Sequence, residues 1–155
     1  MKFLLSVFIV FVSVEYLAAQ EDQSVTKGFI IINASKDYNI AKGVVEDANK
    51  QLGYEIDLRG LEYNAAVGLS FSKENCEKNG FEFPAYIQRG REKDGKFISI
   101  EYTSGYNNFT AGYYIVVVAS YQKGKQEIQT ALSEVKKHYE DAYVKYTDIY
   151  MGCLH

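Results

Sequence analysis

Tryptophan is absent, and the 155 residues include one proline, two cysteines, two histidines and three arginines. Each scarcity excludes something. His138 and His155 have no paired spacing and no C-x-x-C occurs, so metal ligation has no donor set to build on and no cofactor is expected. A Ser/His/Asp or Cys/His centre would have to recruit one of those same histidines, and no nucleophile elbow is present. The lone Pro84 argues against long linkers and low-complexity segments. Glycine-rich phosphate loops are missing too, since Gly90 and Gly95 do not stand at a strand–helix junction. The net charge of −3 is mixed in sign, without the basic footprint of a nucleic-acid binder.

The one long apolar run is N-terminal. Met1-Lys2 is a short positive start, Phe3 to Val14 is almost wholly apolar, and Leu17-Ala18-Ala19 precedes polar Gln20-Glu21-Asp22. That is the anatomy of a secretory signal peptide (residues 1–19), cleaved after Ala19; the alternative is a retained anchor. The run is short for a membrane span, so none is expected after cleavage. The remaining 20–155 make one domain with room for a real core. In an oxidising compartment Cys76 and Cys153 can close a loop of about 77 residues, worth ~4 kcal/mol, though the spacing equally allows two free thiols.

What the chain does have is two buried-strand signatures. Tyr113 to Val118 is six consecutive aromatic or β-branched residues without a charge, which suits a strand covered on both faces. Ile128, Ala131, Leu132, Val135 and Tyr139 then fall at helical spacing, and Ala142 to Tyr146 closes the unit as a strand, continuing through Ile149 to Met151. An earlier stretch has the same layout: Phe29 to Ile32, a helix from Asn39 to Leu52 stopped by Gly53, and an alternating strand Tyr54 to Leu58. Two β-α-β units in series predict an α+β, ferredoxin-like β-α-β-β-α-β sandwich with both helices on one sheet face.

Between the units lies an insertion, Arg59 to Ala111. Phe71 to Gly80 reads as a short capped helical turn. Ala85 to Arg89 and Phe97 to Tyr102 read as a β-hairpin turning at Asp94-Gly95. Ile30 and Ile32 point one way and Phe29 and Ile31 the other, so the sheet face without helices also needs a cover. The insertion, with Phe71, Phe81, Phe83, Ile87, Ile98 and Ile100, is the favoured one; a second copy of the chain, as a homodimer, is the other.

The segments Phe29-Ile30-Ile31-Ile32-Asn33-Ala34-Ser35 and Tyr113 to Tyr121, each followed by a helix and a short strand, resemble the SPOR (sporulation-related repeat) domain over the two β-α-β units only. The resemblance implies a small module that binds peptidoglycan glycan strands stripped of their peptides, on the open sheet face. Ile32 and Val117 stand where that family commonly carries a polar, glycan-facing residue. A glycan site here would therefore be displaced from the middle of the sheet.

The displaced candidate is in the insertion, which holds all three arginines, Arg59, Arg89 and Arg91. Arginine's planar fork suits carboxylates and aromatic stacking. Tyr86, Arg89, Arg91, Tyr102, Tyr106 and Phe109 form the candidate binding set. The competing reading is internal: Arg89 and Arg91 pair with Glu101, Glu92 or Asp57 and hold the hairpin to the sheet. Asp57, Glu62 and Glu101 are the only carboxylates worth weighing for sugar hydrolysis, and they read better as solvated strand charges. Two sequons, Asn33-Ala34-Ser35 and Asn108-Phe109-Thr110, matter only in a host that glycosylates secreted proteins.

The expected function is a secreted or periplasmic, non-enzymatic binding module whose partner is a cell-envelope glycan (peptidoglycan) or a protein. The alternative is a protein-interaction module such as an inhibitor or immunity protein of a secreted enzyme. An envelope hydrolase ranks third.

Overall fold

The computed structural model describes residues 23–153. The signal peptide expected over 1–19 lies outside them. The fold is α+β, with a four-stranded antiparallel sheet and three helices, and is compatible with a ferredoxin-like arrangement.

Strand β1 (Ser24–Ser35) leads into α1 (Tyr38–Leu52). Asp37 caps α1 by accepting the Asn39 N–H at 2.8 Å, and Gly53 ends it in the left-handed region at φ 66°. A small hairpin follows, β2 (Leu61–Asn64) with β3 (Gly68–Phe71), then α2 (Lys73–Asn79) between Ser72 and Gly80 caps. Strand β4 (Gly95–Tyr102) runs through a 3-10 turn (Thr103–Gly105) and a loop to β5 (Tyr114–Gln122). Helix α3 (Glu127–Val135) and strand β6 (Tyr143–Tyr150) complete the chain. The sheet order is β4-β5-β1-β6 and all neighbours are antiparallel. Hence β1 and β4 run parallel with β5 between them, and β5 and β6 run parallel with β1 between them.

Alternation along β1 and β5 sorts the core into two clusters, as the sequence parity predicts. Ile30, Val116 and Val118 face Ala41, Val45 and Ala48 of α1 and Ile128, Ala131 and Val135 of α3. Phe29, Ile31, Ile115 and Val117 face the other way. The second cluster is closed from within, by Tyr106 with Tyr86 and Phe109 packed against it. The segment between the units thus supplies cover for this face, through Tyr106, Tyr86 and Phe109.

The detail of the chain differs from expectation in several places. Tyr54 to Leu58 is not a strand; Ile56 makes one parallel bridge to Ile98, with Asp57 N–H on Ile98 C=O at 2.9 Å. The strand that closes the first unit is β4, so part of the expected insertion belongs to the main sheet. Ala85 to Arg89 forms no hairpin with Phe97 to Tyr102, because the outer edge of β4 is met by residues 55–57 and the other edge by β5. Ile98 and Ile100 accordingly lie in the helix-side core, not in the cover. Finally, Cys76 and Cys153 are both free, Cys76 buried under α2 and Cys153 exposed near the C-terminus, so the disulfide is not formed.

Candidate functional site

Strand β4 reads Phe97-Ile98-Ser99-Ile100-Glu101-Tyr102, an alternation that ordinarily turns its polar side chains to water. Here Ser99 and Glu101 are both 0 % exposed. They face the segment Tyr86 to Arg91, which lies over the sheet as a roof, and a buried carboxylate must find donors there. Glu101 accepts five hydrogen bonds. Arg59 grips it through Nε (3.2 Å) and Nη2 (2.5 Å), the Tyr86 and Tyr106 hydroxyls donate at 2.5 and 2.6 Å, and Ser99 donates at 2.6 Å. The two tyrosine hydroxyls are 3.1 Å apart with both protons spent on Glu101. Burial pushes both phenols well above the usual tyrosine range, and the Glu101 charge adds to it. For Arg59 burial opposes the cation, but Glu101, Tyr106 and Tyr86 outweigh it and raise its pKa.

Arg89 is the other half of the roof and is 0 % exposed. All five of its N–H groups are used: Nε on Ser120 Oγ, Nη1 on Ser99 Oγ and Val117 C=O, Nη2 on Phe97 and Gly95 C=O. The bulges explain why main-chain carbonyls are available. Register breaks on β4 after Lys96, and Val118 is skipped opposite both β1 and β4. Arg89 fills the resulting gap, its guanidinium 3.6 Å from the Phe97 ring centre, and burial lowers its pKa to about 10. The two buried arginines share one buried carboxylate, with Ser99 bridging Arg89 to Glu101.

The structure therefore separates the candidate residues. Tyr86, Arg89 and Tyr106 come together inside the roof. Arg91 lies at the roof's edge, donating to the Tyr150 and Gly152 carbonyls of the C-terminal strand end. Tyr102 points to the opposite, helix-side face, stacked on Tyr114 at 5.0 Å. Phe109 is half-buried, packed on the second core cluster at the end of the roof. The internal reading of the arginines holds in kind, but the carboxylate partner is Arg59's; Arg89 and Arg91 bind backbone and hydroxyl oxygens. Glu101 is buried, not solvated, whereas Glu62 is exposed.

The roof stops short of the far end of the sheet face. What it leaves is a shallow groove of about 170 Å³, lined by Phe109, Thr110, Tyr113, Ile115, Tyr143 and Lys145 with Ala34 and Thr103. Tyr143 is 45 % exposed. Lys145 sits 4.5 Å over the Phe109 ring and Lys36 5.4 Å over the Tyr113 ring, and no carboxylate lines the groove. Tyr113, Tyr143 and Lys145 were missed in the sequence because they read as strand residues. The available signal was that each lies at a strand start on the uncovered parity.

Next to the groove, β6 is an edge strand. Tyr150 turns its N–H to Gln88 and its C=O to Arg91, away from β1. By the two-residue repeat, Val144, Tyr146 and Asp148 turn their backbone groups outward as well.

Among the described residues no cluster of His, Cys, Asp and Glu is arranged to hold a metal, and no helix is long and apolar enough to cross a membrane. No family model, no curated protein and no solved structure matches this chain.

Proposed function

We propose that this chain is a secreted or periplasmic, non-enzymatic module with a SPOR-like, ferredoxin-like β-α-β-β-α-β core. In this reading it binds a cell-envelope glycan, peptidoglycan in the first instance, through the groove at Phe109, Tyr113, Tyr143 and Lys145. The observation that carries this is the lining: aromatic rings with lysines over two of them and no acidic residue. Aromatic faces pack against the C–H faces of sugar rings, and the lysines favour sugars that carry a carboxylate. At about 170 Å³ the groove is smaller than the ~300–1,000 Å³ of pockets that enclose a ligand, which fits one or two units of a chain laid across it.

Retention on purified peptidoglycan tests the reading. The wild-type chain is expected to be retained, more strongly on glycan stripped of peptides, and Phe109→Ala with Tyr143→Ala to pass through. No retention, or retention that the double variant leaves unchanged, sinks it.

The open edge of β6 favours a second reading, a protein-interaction role such as an inhibitor or immunity protein of a secreted enzyme. Its exposed tyrosines, Tyr143, Tyr146 and Tyr150, and its outward backbone groups suit an added strand from a partner. Asp148→Pro removes one outward N–H at a position clear of the groove lining. A partner lost with that variant supports this reading over the glycan one.

A further inference from the structure

A second cleft, of about 310 Å³, lies beside the roof and is lined by Asp57, Arg59, Gly60, Arg89, Gly90 and Lys93, with Gln88, Glu92 and Phe97. Two turns line it. Leu58 to Leu61 closes with Leu61 N–H on Leu58 C=O at 3.0 Å, with Arg59 and Gly60 at φ 57° and 69°. Gln88 to Arg91 closes at 3.4 Å, with Gly90 at φ 86°. Arginine in the left-handed region is costly, so its side chain is what this position requires.

Donors are left over. The Arg59 side chain is 10 % exposed, yet Glu101 and Ile87 C=O use three of its five N–H groups, leaving one on each terminal nitrogen. Gly90 is buried, and among the described residues its N–H has no hydrogen-bond partner. Orphan N–H groups of buried residues are rare and are met by water or a ligand. The lining carries three cations, Arg59, Arg89 and Lys93, against Asp57 and Glu92. Glu101 behind Arg59 brings the balance to zero, and Lys93 is itself paired with Asp57. Such a surround accepts one added negative charge more readily than two.

We propose that this cleft is a binding site for a small carboxylate, held by the free N–H groups of Arg59 and the N–H of Gly90 beside Lys93. It is independent of the groove at Tyr143. A carboxylate matches the planar fork and brings a single charge, where a phosphate dianion would meet Asp57 and Glu92.

Nitrogen–proton NMR titration of the folded chain at fixed ionic strength tests this with acetate, glucuronate and diglycine as probes. Saturable shifts are expected at Gly60, Gly90 and the Arg59 side chain with acetate, unchanged in Tyr143→Ala. Glucuronate binding tighter than diglycine assigns the site to an acidic sugar, and the reverse to a peptide terminus. Arg59→Lys should weaken acetate about tenfold, the loss of one charge-assisted hydrogen bond. Glu92→Gln, an exposed position, should tighten it roughly threefold, and this arm stands even if Arg59→Lys does not fold. Shifts that fail to saturate, that sodium chloride reproduces, or that Glu92→Gln leaves unaltered mean a water-filled cleft only and overturn the proposal.

Discussion

Glu101→Gln is the perturbation that most sharply tests how the roof is held. Glu101 is fully buried and accepts five hydrogen bonds, from Arg59, Tyr86, Tyr106 and Ser99. Glutamine keeps one acceptor oxygen and turns an NH₂ toward groups that are themselves donors. It also leaves Arg59 and Arg89 as buried cations without a buried counter-charge. Breaking a buried pair by removing one partner costs ~3–5 kcal/mol, a large part of a total stability of about 5–15 kcal/mol. With a urea slope of about 1–3 kcal/mol per molar, the unfolding midpoint should fall by roughly 2 M. The assay is urea unfolding followed by circular dichroism at neutral pH, with the exposed Glu62→Gln as control, expected within ~0.5 kcal/mol of wild type. A Glu101→Gln midpoint inside the control's range would instead mean that the carboxylate is solvated and the roof is held by packing alone.

Three further outcomes follow from the same geometry. Tyr86 and Tyr106 have raised pKa values, so the stability they contribute is whole below the unfolded tyrosine value near 10 and lost as pH climbs above it; a spectrophotometric alkaline titration should show late-titrating phenols, Tyr139 among them, whose number falls by two in Tyr86→Phe with Tyr106→Phe. Gly28 lies under Ile128, where an added Cβ would stand 2.3 Å from Ile128 Cδ1 and 2.8 Å from Tyr146 Cε1, so Gly28→Ala should cost ~1–3 kcal/mol in thermal unfolding. A thiol reagent should label Cys153 alone in the native chain and Cys76 only after denaturation; two protected thiols released by reductant would contradict the unpaired arrangement.

Much of the frame was legible because it rests on local signals. The parity of Phe29 to Ile32 and of Tyr113 to Val118 separated two faces, and Gly53 marked the end of α1. Pairing was less legible. Asp94-Gly95 between two alternating runs is a fair hairpin signal, but it cannot say that β4 finds β5 while Ala85 to Arg89 lies across the face instead. The roof's chemistry was concealed by an ordinary rule: Ser99 and Glu101 alternate with Ile98 and Ile100 as a wet face would. Only the confinement of all three arginines to one segment hinted that the polar side met buried cations. Of the groove only Phe109 was picked out in the sequence, since the rest is defined by where the roof ends.

In the proposed function the roof closes most of the second sheet face and leaves glycan contact to the groove at Tyr143. Chemical-shift mapping with soluble peptide-free peptidoglycan fragments measures this directly. Shifts concentrated at Phe109, Tyr113, Tyr143 and Lys145, with Tyr86, Arg89 and Tyr106 unmoved, are the predicted result. Shifts centred on Tyr86 to Arg89, or on the middle of β5 beneath them, would contradict it.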